Sequence, residues 1–249
     1  MTLADAMATI KALGKPGTAA IYRRHGVTEP TVGLSYADLG VLVKKIGVDH
    51  TLALALWDTG LHDARVVATK VADPARLTKT TLAAWLKACS NYVITDAVAG
   101  TAARVPGILP IAMTWSTRPR EWTSAAGWSV IAILSMRGDI DEALAVDLMA
   151  RVTANIHASP NRARYSMNNA LIAMGGSMPT MHDRAIAAAR SIGLVHVDHG
   201  ETGCRTPDAV DMIGKMVAHR AAKRTRVTGA RAAARPRKAA ASKRAQKAR

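Results

Sequence analysis

The chain has 249 residues, of which 49% are hydrophobic and 4% aromatic, and it carries a formal net charge of +16. This length and apolar content exclude a disordered chain, and the scarcity of aromatic residues favours helices over a sheet-rich fold. The two cysteines, Cys89 and Cys204, form no CxxC pair, which disfavours a disulfide framework and a zinc knuckle. No apolar run approaches the roughly 20 residues of a membrane helix, so we expect a cytoplasmic protein with no membrane partner.

Helices with short connections fill the first half of the chain. Ser35 and Thr78 are predicted to cap helices, because each precedes an apolar run with helical spacing. Residues 50–74 are predicted to form a helical hairpin with its corner at Thr59 and Gly60. The predicted helices of this half are residues 2–13, 18–25, 35–46, the two arms of 50–74, 78–89 and 91–104.

The same pattern continues through the second half. We expect helices over residues 109–115, 121–136, 139–157, 159–174, 179–192 and 208–219, with Asp139 as a cap and a structured loop over residues 193–207. Helices of about 10 to 16 residues joined by short turns favour a stack of helical pairs over a compact bundle. The sequence therefore predicts an all-α fold, a HEAT-like helical-repeat solenoid over residues 1–220.

The positive charge is concentrated at the C-terminus. Residues 220–249 contain twelve of the 34 Lys and Arg and no Asp or Glu, so only four of the sixteen excess positive charges belong to the first 219 residues. Because the segment has no apolar periodicity, we predict a disordered basic C-terminal tail over residues 221–249. Such a polycation binds polyanions by counterion release, which indicates nucleic acid as a partner. A solubility tail or a contact with ribosomal RNA would explain the same composition.

The predicted loop over residues 193–207 concentrates side chains that can bind metals. His196, Asp198, His199, Glu201 and Cys204 lie within nine residues, but their spacing matches no finger or metallohydrolase signature. Hydrogen bonds from Asp and Thr side chains to the loop backbone explain the same residues, so we predict no metal. The chain also lacks the GxSxG, GxGxxG and HExxH motifs and the phosphate loop, which disfavours common hydrolases and nucleotide enzymes. We therefore predict no cofactor.

A carboxylate among aromatic residues is the strongest chemical signal. Asp96 follows Tyr92 by four residues, so both side chains lie on one face of the helix over residues 91–104. An Asp inside an otherwise apolar helix requires a partner or a position facing a groove. Trp115, Trp122 and Trp128 are candidates for aromatic groups in that groove, although tryptophans at helical spacing are more often part of a core.

Five stretches of the chain carry a family resemblance. They are DHTLALALWDTGLHDARVVATKVADP, WLKACSNYVITDAV, TSAAGWSVIAIL, NRARYSMNNALIAMGG and IGLVHVDHGETGCRTPDAV. In pattern and order they resemble the DNA alkylation repair family of HEAT-like alkylpurine DNA glycosylases, the AlkD-like group, over about residues 20–217. The resemblance implies excision of cationic N3- or N7-alkylated purines without metal or cofactor. A carboxylate would stabilise the oxocarbenium-like sugar and position water, and aromatic faces would stabilise the developing cation.

The resemblance also implies roles for individual residues. Asp96 matches the catalytic carboxylate of the family, and Tyr92 stands where well-studied members have a tryptophan. The chain departs from the family at two positions, because Ala125 replaces an expected DNA-contacting arginine and Asn169 replaces a second active-site tryptophan. Basic and polar residues on other helices are candidates for DNA contacts, or they brace their own helices. These DNA-binding candidates are Arg162, Arg164, Asn168, Lys44 and Lys45.

These features lead to one main hypothesis and two alternatives. The main hypothesis is a monomeric glycosylase that excises alkylated purines from double-stranded DNA in the cytoplasm, at the nucleoid, with Asp96 and Tyr92 as catalytic residues. The first alternative is a non-catalytic DNA-binding or damage-sensing protein, which Ala125 and Asn169 favour. The second is a helical scaffold for proteins in which only the tail contacts nucleic acid.

Overall fold

The structure is a computed structural model that describes the backbone of residues 1–233 and the side chains of residues 1–223. Within these residues the chain forms thirteen α-helices and three short 3-10 turns, and no strand. The helices are α1 Leu3–Ala12, α2 Pro16–Arg24, α3 Tyr36–Ile46, α4 His50–Asp58, α5 His62–Val71, α6 Lys79–Lys87, α7 Tyr92–Ala102, α8 Leu109–Ser116, α9 Glu121–Arg137, α10 Glu142–Asn155, α11 Asn161–Ser177, α12 His182–Ile192 and α13 Ala209–Ala233. The 3-10 turns are Pro74–Arg76, Ile156–Ala158 and Pro179–Met181. The all-α prediction is confirmed.

Polar residues cap the N-terminal ends of several of the predicted helices. Ser35 and Thr78 each accept a hydrogen bond from the backbone N–H three residues later, which satisfies a donor that has no partner inside the helix. The prediction of Asp139 as the cap of α10 is wrong. Asp141 caps that helix, and Asp139 instead forms an ion pair of 2.7 Å with Arg137 at the end of α9.

The helices are arranged in two layers. Helices α3, α5, α7, α9, α11 and α13 form the inner layer, in which each helix packs against the next. Helices α4, α6, α8, α10 and α12 form the outer layer, and each packs against the inner helix that follows it in the chain. This stack of helical pairs is the predicted HEAT-like repeat solenoid.

Small and aromatic residues join the layers into a continuous core. Gly127 lies where α9 touches α8, and a Cβ atom there would come within 2.4 Å of the Ser116 backbone nitrogen. Trp57 of α4 stacks on Trp85 of α6 with ring centroids 4.4 Å apart. Helices α8 and α9 therefore pack through their backbones, and the outer helices α4 and α6 through stacked rings.

The predicted hairpin over residues 50–74 is present as α4 and α5. In the first turn of α5, Asp63 is 2% exposed and accepts three hydrogen bonds. The donors are the Thr31 hydroxyl at 2.8 Å and the backbone N–H groups of Val32 at 2.9 Å and Leu34 at 2.6 Å. The corner of the hairpin therefore holds the segment that leads into α3.

Two non-helical segments border the N-terminal ends of the inner helices. Residues 25–35 connect α2 to α3, and Glu29 in this segment accepts hydrogen bonds from Ser90 and Asn91 at the start of α7. Residues 193–207 connect α12 to α13, in agreement with the predicted loop. Residues 193–207 approach the end of α2 at Gly200, where a Cβ atom would lie 3.7 Å from the carbonyl oxygen of Arg24.

The last helix is longer than predicted. Helix α13 continues past residue 219 to Ala233, because its Ala-rich sequence has a high helix propensity. The rest of the predicted tail, residues 234–249, lies outside the described residues. Neither α13 nor any other helix of the described chain is long and apolar enough to cross a membrane.

Candidate nucleic-acid interface

A groove of about 240 Å³ lies beside α7. Tyr92 and Asp96 are one turn apart on this helix, and both side chains line the groove. Tyr36 at the start of α3 and Lys70 near the end of α5 line it as well. The structure therefore brings a carboxylate, two phenol rings and an ammonium group to one space.

Asp96 is open to solvent on the groove side, while neighbouring helices surround the rest of its side chain. Its Oδ1 accepts a hydrogen bond of 3.3 Å from Ser129 on α9, and the Ser129 hydroxyl lies 3.1 Å from that of Ser166 on α11. Burial raises the pKa of Asp96, because the surrounding protein displaces water that would solvate the charge. The positive charge of Arg162 and the Ser129 hydroxyl act in the opposite direction. The groove therefore contains an accessible carboxylate that holds its proton more tightly than a free carboxyl group does.

Arg162 fills the space beside Tyr92. The central carbon of its guanidinium lies 4.1 Å from the centroid of the Tyr92 ring and 4.4 Å from that of the Tyr165 ring, so the cation is stacked on two aromatic rings. The residue is 8% exposed, and its backbone N–H donates to Glu121 at 2.6 Å. The DNA contact of Arg162 therefore stays a prediction, and the side chain is largely enclosed by the protein.

The other two candidates on α11 differ in their surroundings. Asn168 is 1% exposed and donates a hydrogen bond of 2.9 Å to the carbonyl of Pro207, so it braces residues 193–207 and is not placed to contact DNA. Arg164 is half-buried, and its Nε has no hydrogen-bond acceptor within the described residues. In the structure Asn168 therefore makes a contact within the protein, and its DNA contact stays a prediction.

Lys44 and Lys45 are exposed in the last turn of α3. The ion pairs of the described residues are Lys15 with Asp38, Arg137 with Asp139 and Lys215 with Asp211, and they include neither lysine. Both ammonium groups are therefore accessible to a polyanion.

The three candidate tryptophans do not share the groove of Asp96. Trp115 and Trp128 are 8% and 2% exposed in the hydrophobic core, and Arg151 stacks on Trp128 at 5.2 Å from the ring centroid. Trp122 is partly exposed and lines a second cleft beside Arg162. Trp115 and Trp128 therefore lie in the core rather than along the groove, because helical spacing tells which residues share a face but not which face meets the core.

The second cleft, of about 260 Å³, lies at the N-terminal ends of α7, α9 and α11. His25, from the segment before α3, is hydrogen-bonded to the Tyr92 hydroxyl on one side of the cleft. His199, from residues 193–207, packs edge-on against Tyr165 with ring centroids 5.6 Å apart. The cleft therefore combines two imidazoles with the aromatic rings that hold Arg162.

The metal-binding side chains of residues 193–207 take part in contacts within the loop. Asp198 accepts a hydrogen bond of 2.8 Å from the Gly200 N–H, and His199 Nε2 lies 3.0 Å from the Thr206 hydroxyl. Over the part of the chain that the structure describes, no three His, Cys, Asp or Glu side chains come together as a metal site.

Sequence reasoning missed four residues of the groove and the cleft, namely His25, Tyr36, Lys70 and Tyr165. They come from four different elements, so no local spacing connects them with Asp96. The available signal was the aromatic and imidazole side chains on either side of the turn between α2 and α3. These side chains indicate a site only when it is known that α7 packs beside them.

Comparison with known proteins relates this geometry to a family. A model of the DNA alkylation repair enzyme family matches residues 6–213. Two uncharacterized proteins, from Listeria innocua serovar 6a and Listeria monocytogenes serovar 1/2a, are each 29% identical over 212 residues, covering 83% of this chain and 93% of theirs.

A solved structure has the same fold. It comes from a new family of proteins related to the HEAT-like repeat DNA glycosylases with affinity for branched DNA structures. Its TM-score is 0.81 at 28% sequence identity, over 88% of this chain and 95% of that chain. Since the family model spans most of the sequence and the fold agrees, the protein belongs to the DNA alkylation repair enzyme family.

Proposed function

We propose that this protein binds DNA along the inner layer of the solenoid and recognises branched DNA by its shape, without excising a base. The non-catalytic DNA-binding part of this proposal is the first alternative from the sequence, and the branched ligand is new. The observation that carries the proposal is the position of Arg162, which occupies the aromatic face beside Asp96. Support for the ligand comes from the related structure, whose family has affinity for branched DNA structures.

An alkylated purine that leaves as a cation is stabilised by the negative face of an aromatic ring. In this protein the guanidinium of Arg162 already faces Tyr92 at 4.1 Å and Tyr165 at 4.4 Å. A second cation in the same space would be repelled by Arg162, most strongly where protein has displaced water. The space beside Asp96 is therefore suited to a resident cation rather than to a cationic base.

The two departures from the family agree with this proposal. Ala125 is 2% exposed on α9, so this position offers no group to DNA. Asn169 on α11 is a partly exposed amide, which provides no ring on which a base could stack. Both positions lack the side chain that the resemblance implies for catalysis.

The binding proposal is tested with a four-way DNA junction and a linear duplex of the same base composition. Fluorescence anisotropy at several salt concentrations should give about tenfold tighter binding of the junction, a difference of about 1.4 kcal/mol. Lys70→Gln should weaken binding of both DNAs, because it removes a cation from the groove. The matched control is Lys79→Gln, which removes an exposed cation from outer helix α6. Equal affinity for junction and duplex, or equal effects of the two substitutions, would contradict the proposal.

Base excision remains a second candidate function, and the accessibility of Asp96 favours it. The carboxylate lines an open groove with two phenol rings, so it could stabilise a positively charged sugar and orient water. The ionised form is required for this role. Because burial raises the pKa of Asp96, any excision rate should increase with pH as the carboxylate loses its proton.

The excision candidate is tested by release of 7-methylguanine or 3-methyladenine from alkylated duplex DNA. Wild type, Asp96→Asn and the control Asp58→Asn are compared, since Asp58 is exposed at the end of outer helix α4. Release by wild type and Asp58→Asn, with loss in Asp96→Asn, would support excision. Absence of release by folded wild type that binds the same DNA would eliminate excision and leave the binding proposal intact.

A further inference from the structure

Three arginines of the described chain stack on aromatic rings, and one of them differs from the others. Arg65 donates from Nε to a backbone carbonyl at 3.3 Å, and Arg151 donates to the Ser116 hydroxyl at 2.9 Å. Arg162 is 8% exposed, yet no acceptor within the described residues takes a hydrogen bond from its guanidinium. A guanidinium has five N–H donors. No Arg162 nitrogen is among the fully buried polar atoms without a partner, so these donors reach the open space of the cleft. Arg162 is therefore held ready for an acceptor in the cleft that it lines.

The surroundings of Arg162 favour an anionic acceptor. Helices α9 and α11 begin at this cleft, so their dipoles favour negative charge there, and the Glu121 carboxylate already accepts the Arg162 N–H at the start of α11. Arg24, at the end of α2, is exposed and lines the same cleft. His25 and His199 add imidazole N–H groups when the appropriate nitrogen carries the proton.

Two carboxylates border the cleft but do not neutralise Arg162. Glu121 accepts a hydrogen bond from the backbone N–H of Arg162, and Asp198 accepts one from the backbone N–H of Gly200. The ion pairs within residues 1–223 include neither carboxylate. The charge of Arg162 also acts on Asp96, but those ion pairs do not include Arg162, so its N–H donors are still available to a ligand.

The dimensions of the cleft restrict which phosphate can enter. The cleft has a volume of about 260 Å³. A DNA duplex, whose major groove alone is about 12 Å wide, is too large to enter it. Gly200 of residues 193–207 also approaches the Arg24 carbonyl at the end of α2 beside this cleft. A single phosphate group at the end of a strand, or a free phosphate ion, is small enough.

We propose that this cleft binds a phosphate monoester or its free analogue, with Arg162 as the principal charged contact and Arg24 as a second contact. The shared chemistry is a phosphate dianion, which occurs at a phosphorylated DNA end and in inorganic phosphate. The cleft adjoins the groove of Asp96 and shares Tyr92 with it, but its ligand does not depend on recognition of a branch. An arginine that stacks on aromatic rings presents its N–H groups in a fixed plane, which suits bidentate binding of phosphate.

The first test compares two duplexes that differ only in a 5′-phosphate or a 5′-hydroxyl group, in phosphate-free buffer. Anisotropy with the full chain should show about tenfold tighter binding of the phosphorylated duplex, as expected for a charge-assisted bidentate contact. Arg162→Gln and Arg24→Gln should each reduce this preference. Arg24 is exposed, so its substitution leaves the core unchanged, and the neighbouring exposed Arg23→Gln, which does not line the cleft, should keep the full preference.

The second test uses inorganic phosphate, with chloride at equal ionic strength as the reference. Phosphate should raise the Tm of wild type and Arg23→Gln, but not of Arg24→Gln or Arg162→Gln, because a ligand stabilises only a protein that binds it. A response only to the phosphorylated duplex would identify a DNA end as the ligand, and a response only to phosphate would identify a free anion. If neither probe distinguishes wild type from Arg24→Gln and Arg162→Gln, the proposal is overturned, whatever the result for branched DNA.

Discussion

Asp96 is a residue whose ionisation opposes folding. Its pKa is raised above the ordinary value of 3.8 in the folded protein, chiefly by burial. The folded state therefore binds the proton more tightly than the unfolded state, and stability decreases as the pH rises from 3.8 through the raised pKa. A carboxylate kept at such a position is typical of residues that serve function rather than stability.

Asp96→Asn should therefore stabilise the protein near neutral pH, because the amide removes the poorly solvated charge. The difference in Tm between variant and wild type should be largest at about pH 7 and should become smaller toward pH 4, where the wild-type carboxyl group takes up its proton. This difference in Tm is measured by thermal unfolding, followed by circular dichroism, between pH 4 and pH 7. A difference that does not change with pH would show that the substitution acts through packing alone.

Asp63 has the opposite role, since three donors hold its carboxylate in place. Asp63→Ala should lower the free energy of unfolding by about 3 kcal/mol or more, because two backbone N–H groups and a hydroxyl lose their acceptor. Urea denaturation of this variant and of Asp147→Ala, an exposed position on α10, provides the comparison. A loss in Asp63→Ala no larger than in the control would contradict the bracing role of Asp63.

At the scale of the helices, the contact between α8 and α9 depends on the absence of a side chain. A Cβ atom at position 127 would lie 2.4 Å from the Ser116 nitrogen and 2.8 Å from the Ala112 carbonyl oxygen. Gly127→Ala should therefore cost about 3 kcal/mol, since backbone cannot move away as a flexible side chain can. Gly100→Ala on α7 is the control, because nothing lies within 4 Å of the added Cβ atom, and it should stabilise the helix by up to about 1 kcal/mol. If chemical denaturation gives the same change in the free energy of unfolding for Gly127→Ala and Gly100→Ala, the close contact is excluded.

The Asn161 side chain at the start of α11 forms two hydrogen bonds with the backbone of residues 193–207. Asn161 donates to the Asp198 carbonyl at 2.8 Å and accepts from the Asp198 N–H at 2.7 Å. Asn161→Ala should release this segment and increase amide hydrogen exchange at the Asp198 N–H, while exchange within α9 stays unchanged. Asn155→Ala is the control, because the Asn155 side chain bonds only within α10. Unchanged exchange in Asn161→Ala would show that other contacts hold the segment.

A feature can be predicted from the sequence when the residues that determine it lie close together along the chain. The starts of α3 and α6 were predictable because Ser35 and Thr78 bond to N–H groups three residues away. The stacking of Arg162 on Tyr92 was not predictable, because the two residues belong to α11 and α7, which come together only when the whole solenoid has folded. The choice between groove and core for Trp128 stayed open in the sequence for the same reason, since its burial depends on helices that pack against α9.

For the whole molecule, the basic C-terminal sequence separates general attraction to DNA from recognition. Deleting residues 234–249 removes seven positive charges. Affinity for every DNA should decrease, and the slope of log K against log salt should fall by about 0.9 for each lost phosphate contact. The preference for a junction over a duplex should remain, because the helical domain would provide it. Anisotropy titrations at several salt concentrations measure both quantities, and loss of all salt-sensitive binding would favour a scaffold whose tail alone contacts nucleic acid.

The approach of Gly200 to Arg24 has a consequence for how the molecule unfolds. A linear stack of repeats has contacts only between neighbours, so its terminal repeats can fray while the middle stays folded. In this chain, residues near the two ends meet across the N-terminal ends of the inner helices, and loss of either end removes support from the other. Forming such a contact between distant parts of the chain is slow, but once formed it couples the repeats. We therefore expect a single cooperative unfolding transition rather than stepwise melting from the termini.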